Sequence, residues 1–271
     1  MRINSDVNSL WAQTASASAN GTTSKSLLRL ATALRINNAS EDPAGLAASE
    51  SLRSMVRDNQ MSQRNASDGM AMLQIADSGT QQITDSLQRM RELAVQSANG
   101  TLNANDRKAI QAEYSALQAQ ISGVAQSTTY NGQSLLTGGA SGVSFQVSGG
   151  AGEGSTISFQ NPTDLSGNLG LGTLDSLDSA RQALQGIDTT LKSLFSVRSG
   201  IGSTMNQLDA TVSNLGNIFP NLTDAESRLR DTDFASESSQ LARGQILGKS
   251  SLAMMAQANQ LPTGVMSLLQ G

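Results

Sequence analysis

The chain of 271 residues carries 18 Lys and Arg against 22 Asp and Glu, no His, no Cys and only 3% aromatic residues. These counts exclude imidazole and thiol chemistry, the commonest zinc ligands and any disulfide framework. The basic residues are scattered, so nothing points to nucleic acid or an anionic membrane surface, and no window approaches the ~18 consecutive apolar residues of a spanning helix.

Few large rings argue for thin helical layers of Leu, Ile, Met and Ala rather than a thick core. The N-terminus, MRINSDVNSLWAQT, has no apolar h-region, so no cleaved secretory signal is expected. The segment TASASANGTTSKS (Thr14–Ser26) has no apolar side chain larger than Ala and cannot support a helix alone. Leu27, Leu28, Leu30 and Leu34 then form a short apolar patch.

In SEDPAG, Asp42 is a cap and Pro43 fits the first helical position. A heptad follows through Leu73, Ala76, Thr80, Ile83, Leu87, Met90 and Ala94. Extended backwards it meets Gly69, Ala66, Ser62, Asn59, Met55 and Leu52, a weaker seam. The stop is Asn99-Gly100, where Gly tolerates the left-handed backbone. A helix from about Pro43 to Ala98 is ~80 Å long at the standard rise. Within it Arg89, Glu92, Leu93 and Gln96 fall at i, i+3, i+4 and i+7, a second stripe of mixed charged and apolar character. A contact between copies suits such a stripe, and a widened core edge is the alternative.

Asn103 caps a second helix, with Asp106 in its first turn and a stripe of Ile110, Tyr114, Leu117, Ile121 and Val124. It ends before the turn signal Tyr130-Asn131-Gly132. A Gly/Ser-rich zone from Thr137 to Asp175 holds two alternating stretches, GVSFQV and STISFQ, which predict one β-hairpin. A lone hairpin is marginal in water, so it must pack on the helices. The third long helix has the clearest pattern: Leu177, Ala180, Leu184, Ile187, Leu191, Leu194, Arg198, Ile201, Met205, Leu208, Val212 and Leu215, with Arg198 the single charged break. Pro220 predicts a kink or irregular turn. From Ile246 onward the many Leu and Met residues are too apolar for a free tail, and both ends are expected to fold against each other or against neighbouring copies.

No catalytic set rises above background. Ser/His/Asp and Cys/His sets are impossible, the pair Asp231/Asp233 reads as helix capping, and GGAGEG lacks the Lys of a phosphate loop. No regularly spaced carboxylates form a Ca²⁺ loop. Neither an enzyme nor a cofactor is expected.

Several stretches, in order at both ends, resemble the bacterial flagellins. The N-terminal half carries ALRINNASEDPAGLA (Ala33–Ala47), RNASDGMAMLQIADSG (Arg64–Gly79), LQRMRELAVQSANG (Leu87–Gly100), RKAIQAEY (Arg107–Tyr114) and TYNGQSLL (Thr129–Leu136). The C-terminal half carries SRLRDTDFASESSQLARGQIL (Ser227–Leu247) and AQANQLPTGVMSLLQ (Ala256–Gln270). The resemblance implies a mainly α fold: an elongated bundle of long antiparallel coiled-coil-like helices with a small β-hairpin, and terminal helices that pair on assembly. It implies an N-terminal inner-tube segment (1–40), outer-tube helices (41–137), a short variable region (138–176), a long C-terminal outer-tube helix (177–230) and a C-terminal inner-tube segment (231–271).

The resemblance also implies function. The chain would polymerise with itself into an extracellular flagellar filament for motility, exported without a cleaved signal by the flagellar type III apparatus. Its partners would be an export chaperone, hook-associated junction and cap proteins, and the vertebrate flagellin-sensing Toll-like receptor. Arg89, Leu93 and Glu113 match that receptor's contacts, and Val265, Leu268 and Leu269 resemble the segment sensed by cytosolic inflammasome receptors. Thr32-Ala33 departs from the family's common Ser-Gly, and Met266 with Gln270-Gly271 departs from its common ending. A hook–filament junction protein of the same superfamily and a coiled-coil adaptor unrelated to flagella are the alternatives.

Overall fold

A computed structural model describes residues 7–137, 142–149, 155–159, 164 and 170–269, the stretch 261–269 through its helical backbone. The elements in order are α1 (Val7–Thr32), α2 (Pro43–Ser97), α3 (Ala104–Ser127), β1 (Thr129–Tyr130), β2 (Gln133–Ser134), β3 (Val143–Gln146), β4 (Thr156–Phe159), α4 (Leu177–Arg230) and α5 (Phe234–Leu269). The fold is mainly α, with small antiparallel β pairs. The chain divides into two compact units, Val56–Pro220 and the residues up to Met55 with those from Asn221 onward.

The unit Val56–Pro220 holds the predicted seam. Leu73, Ile83, Leu87 and Met90 of α2 are fully buried with Ile187, Leu194 and Leu208 of α4. Leu191 and Ile201 share that core, while Leu184 and Met205 are half-buried against it. Three cross-ties give the direction. Arg91 Nε donates to Asp188 at 2.9 Å, Arg198 Nε to Asp77 at 3.0 Å, and Asn59 Nδ2 to the Leu215 carbonyl at 3.2 Å. Numbers rise on one helix as they fall on the other, so α2 and α4 run antiparallel. Arg198, the charged break in the heptad, is thus partnered at the seam's edge. The weaker backward seam reaches only Asn59 and Ser62, both buried, since Met55 is 50% exposed.

The helix starts follow the sequence, whereas Gly100 beyond α2 does not take the left-handed backbone expected of the stop. Asp42 Oδ1 accepts from the Gly45 amide at 2.8 Å at the start of α2. Asn103 and Asp106 form a reciprocal capping box at the start of α3. Val143–Gln146 pairs with Thr156–Phe159 in the predicted hairpin. It docks on α2, where the Phe145 ring lies against Gly69; a Cβ there would come within 2.9 Å of the ring. A second, smaller hairpin surrounds Asn131-Gly132, whose φ angles of 49° and 79° give a two-residue turn of the primed type. Sequence analysis reads only a turn there, because two-residue strands carry no alternation.

α4 stays helical through Pro220 to Arg230, so no irregular turn forms there. Its last turns are held from outside. The Arg35 guanidinium donates to the Leu229 carbonyl at 2.7 Å, and Arg230 pairs with Glu50 at 3.0 Å. Such ties offset the single helical hydrogen bond that Pro removes.

In the other unit α1 and α5 pack together. Their contact is built from small residues: Ser16, Ala19 and Ser26 of α1, and Ser251 and Ala258 of α5, are all buried. Near α1's end Arg29 lies 3.7 Å from both Glu41 and Glu237. Where α1 meets the following loop, Leu34 and Asp231 form an antiparallel bridge, and Ala33 has φ 59°. A non-glycine residue in that left-handed region costs roughly 1–2 kcal/mol, a cost that glycine at this position would avoid.

Candidate interaction surfaces

α3 lies beside α2 and brings Glu113 to the predicted stripe. Glu113 Oε1 accepts from Arg89 Nη2 at 2.8 Å and Nε at 3.1 Å, while Glu92 Oε2 accepts from Nη1 at 3.0 Å. Two carboxylates on one guanidinium hold the Arg89 pKa above its ordinary value, Glu113 contributing most through its hydrogen bonds. All three side chains are about half exposed or more, so water screens the pairs and they position the surface rather than hold the fold. Gln96 is exposed as well.

Leu93 does not share that surface. It is 3% exposed and part of the core, which corrects the mixed charged and apolar stripe. The reason is a second buried line on α2, at Met72, Gly79, Ser86 and Leu93, each seven residues apart. Gly79 on that line meets Thr128 and Leu136, which follow α3. A helix with neighbours on two sides buries two stripes, and Leu93 belongs to the second. What remains outside is polar: Arg89, Glu92, Gln96 and Glu113.

Behind this surface sits Tyr114, fully buried, whose hydroxyl donates to the Leu171 carbonyl. Gln111 accepts from the Leu174 amide and Ser97 Oγ donates to the Leu174 carbonyl, so α2 and α3 together pin the segment ahead of α4. Burial pushes the Tyr114 hydroxyl up to about 12. Between pH 10 and 12 the unfolded chain releases this proton while the folded one keeps it. Stability is therefore whole below pH 10 and falls above it, by ~2–3 kcal/mol in all. We expect Tyr114→Phe to flatten this alkaline limb, at a cost of ~1 kcal/mol near neutrality from the unpaired Leu171 carbonyl. Urea midpoints from pH 8 to 11 measure both effects.

A different surface covers the α1–α5 pair. Its large apolar residues point outward: Leu10 is 60% exposed, Trp11 72%, Ile246 64% and Met254 65%. A shallow groove of about 380 Å³ runs between the helices, lined by Ala15, Ala19, Gly244, Leu247, Ser251 and Met254. Small residues inside and large ones outside is the reverse of a self-sufficient helix pair. Val265, Leu268 and Leu269 belong to α5, and their side chains lie outside the described residues. Among the described residues no helix is long and apolar enough to cross a membrane.

Sequence reasoning missed the second buried line, the Arg91–Asp188 and Asp77–Arg198 ties, and the small-residue seam of α1 and α5. The first and last are built of Gly, Ser and Ala, and a search keyed to large apolar residues passes over them.

Comparison with known proteins fits this architecture. Residues 3–141 match the bacterial flagellin N-terminal helical region, and residues 184–269 match the bacterial flagellin C-terminal helical region. The chain is 40% identical over 250 residues to a flagellin of Halalkalibacterium halodurans, covering 91% of each. It is 35% identical to the flagellar filament 33 kDa core protein of Treponema phagedenis and 33% identical to a flagellin of Bacillus subtilis, over the full length of both chains in each case. Among solved structures, Bacillus cereus flagellin superposes with a TM-score of 0.51 at 32% identity, over 56% of this chain and 88% of that one. With both helical regions matched in order across the greater part of its length, the chain belongs to the bacterial flagellins.

Proposed function

We propose that this chain is the structural subunit of an extracellular flagellar filament, polymerising with itself to serve motility. The observation that carries this reading is the inverted α1–α5 pair. Trp11, Leu10, Ile246, Leu247, Leu252 and Met254 stay more than half exposed in the single chain. At ~1.5–3 kcal/mol per large side chain on full burial, covering them with other copies supplies a strong drive to assemble. A head-to-tail contact made by such a surface repeats into open helical polymers. The test is seeded polymerisation of the purified chain viewed by negative-stain microscopy. Long uniform filaments are expected, and their absence across seeds and salts defeats the reading.

The same reading gives the subunit its route. Export runs through the flagellar type III apparatus, with a cytoplasmic chaperone covering the α5 region until release. Hook-associated junction and cap proteins then bound the polymer. Support for these steps comes from membership of the family and from the exposed apolar residues of α5, which need cover in the cytoplasm.

The free monomer is also a ligand of the flagellin-sensing Toll-like receptor of vertebrates. The surface of Arg89, Glu92, Gln96 and Glu113 supports this, since the two helices present it already ordered by ion pairs. Reporter cells exposed to monomer should respond, and Arg89→Ala with Glu113→Ala should weaken the response at least about tenfold, the scale on which a central charged contact acts. No response to the parent chain, or an equal response to the double variant, refutes receptor recognition.

A further inference from the structure

The dipeptide Asn-Gly occurs at 20–21, 99–100 and 131–132. The last two end a helix and turn a hairpin. The first lies in the middle of α1, where neither residue has a turn to make. We propose that Asn20-Gly21 is a self-modification site, deamidating whenever α1 separates from α5 and protected while the two are paired.

The chemistry needs only water. The backbone nitrogen of Gly21, having lost its proton to solvent base, attacks Asn20 Cγ. The new C–N bond closes a five-membered succinimide, and the side-chain nitrogen leaves as ammonia, carrying the proton. Water then opens the ring at one of its two carbonyls, giving Asp or isoaspartate at position 20. No electron is transferred. Gly is the most permissive following residue because no Cβ obstructs the ring.

Helical geometry blocks this step. In α1 the Gly21 N–H is spent on the i−4 carbonyl, and the backbone holds that nitrogen away from its own neighbour's side chain. The rate therefore follows the fraction of time α1 is locally open. Several features place that opening at residues 20–23. Gly21 lowers helix stability, and a Cβ built on it would meet nothing within 4 Å, so this side of the helix faces open space. The hydroxyls of Thr22 and Thr23 donate back to the Ser18 and Ala19 carbonyls, which weakens a helix further. The neighbouring buried residues, Ser16, Ala19 and Ser26, contribute little apolar area.

What holds this stretch closed is α5. A Cβ on Gly244 would come within 2.7 Å of Thr23 Oγ1, and one on Gly248 within 3.7 Å of Asn20 Oδ1. Asn20 thus sits where the two backbones approach closely. Isoaspartate adds a methylene to the main chain at that point, and α1 cannot then rejoin α5 in register. An unpaired chain loses its terminal helix pair with time, whereas a paired one keeps it.

The test uses the full chain and peptide mapping by mass spectrometry after incubation at pH 8. Gly244→Ala, which pushes Thr23 away, should speed conversion at Asn20 at least about tenfold by raising the open fraction. The rates at Asn99 and Asn131 should not move. Equal Asn20 rates in the two proteins, or no conversion in either, overturn the proposal. A second arm rests on the filament reading. After long incubation as monomer, the parent should lose polymerisation while Asn20→Gln, which closes a six-membered ring far more slowly, retains it. Equal decline in both overturns the consequence drawn for pairing. If neither polymerises when fresh, it is the filament reading that has failed, and mass spectrometry still decides the modification.

Discussion

A chain cut after Ser239 should remain a folded helical monomer and form no filament. The cut removes α5 beyond its first turns and leaves the unit Val56–Pro220 whole, so the core of Leu73, Ile83, Leu87, Ile187 and Leu194 is untouched. α1 has no such reserve. Its buried residues are Ser16, Ala19 and Ser26, none of them large and apolar. Most helical stability in proteins comes from packing of an apolar face, which α1 lacks, and this helix holds Gly21 and many Ser and Thr. The far-UV helical signal should therefore fall by more than the deleted turns, because the 26 residues of α1 melt as well. Circular dichroism before and after the cut measures that excess. Negative-stain microscopy of seeded samples measures the other half, and filaments from the shortened chain would contradict the assignment of assembly to the α1–α5 surface.

The contrast between the two units explains which parts of the fold were legible. The α2–α4 seam is written in large apolar residues at three- and four-residue steps, a pattern with few other physical meanings. Asp42, Pro43, Asn103 and Asp106 mark helix starts by chemistry that acts within one turn, so they too can be read locally. The alternation of Val143, Phe145 and Val147 requires only a neighbouring strand and a helix surface to cover it. By contrast, the α1–α5 contact uses Ser, Ala and Gly, whose value lies in letting two backbones approach. No periodicity of hydrophobicity records closeness of approach. The line Met72, Gly79, Ser86 and Leu93 is hidden for the same reason, since only its two ends are apolar. Pro220 forms no irregular turn because the helix on either side of it is long, and a local rule for proline does not weigh that length. The pairing of Arg89 with Glu113 joins two helices whose relative placement no sequence spacing gives; the family resemblance alone brought those residues together.

Leu93 and Arg89 stand four residues apart and should answer to different measurements. Leu93 is buried on the line that faces the α3 side, so Leu93→Ala opens a cavity. Such truncations cost ~2–5 kcal/mol, depending on how far the site collapses. For a unit of this size the midpoint of thermal unfolding should drop by roughly 5–15 °C. Arg89→Ala removes an exposed, screened ion-pair partner and should leave the midpoint almost unmoved. Receptor activation is expected to show the opposite order of directness. Arg89→Ala loses response at full stability, whereas any loss in Leu93→Ala travels with unfolding. Leu93→Met separates the two further, since it conserves volume and should keep both midpoint and response. Calorimetry and reporter cells on the same preparations settle the point. If Leu93→Ala leaves the midpoint in place yet abolishes the response, Leu93 is a surface contact after all, and α2 turns one stripe fewer toward its own core.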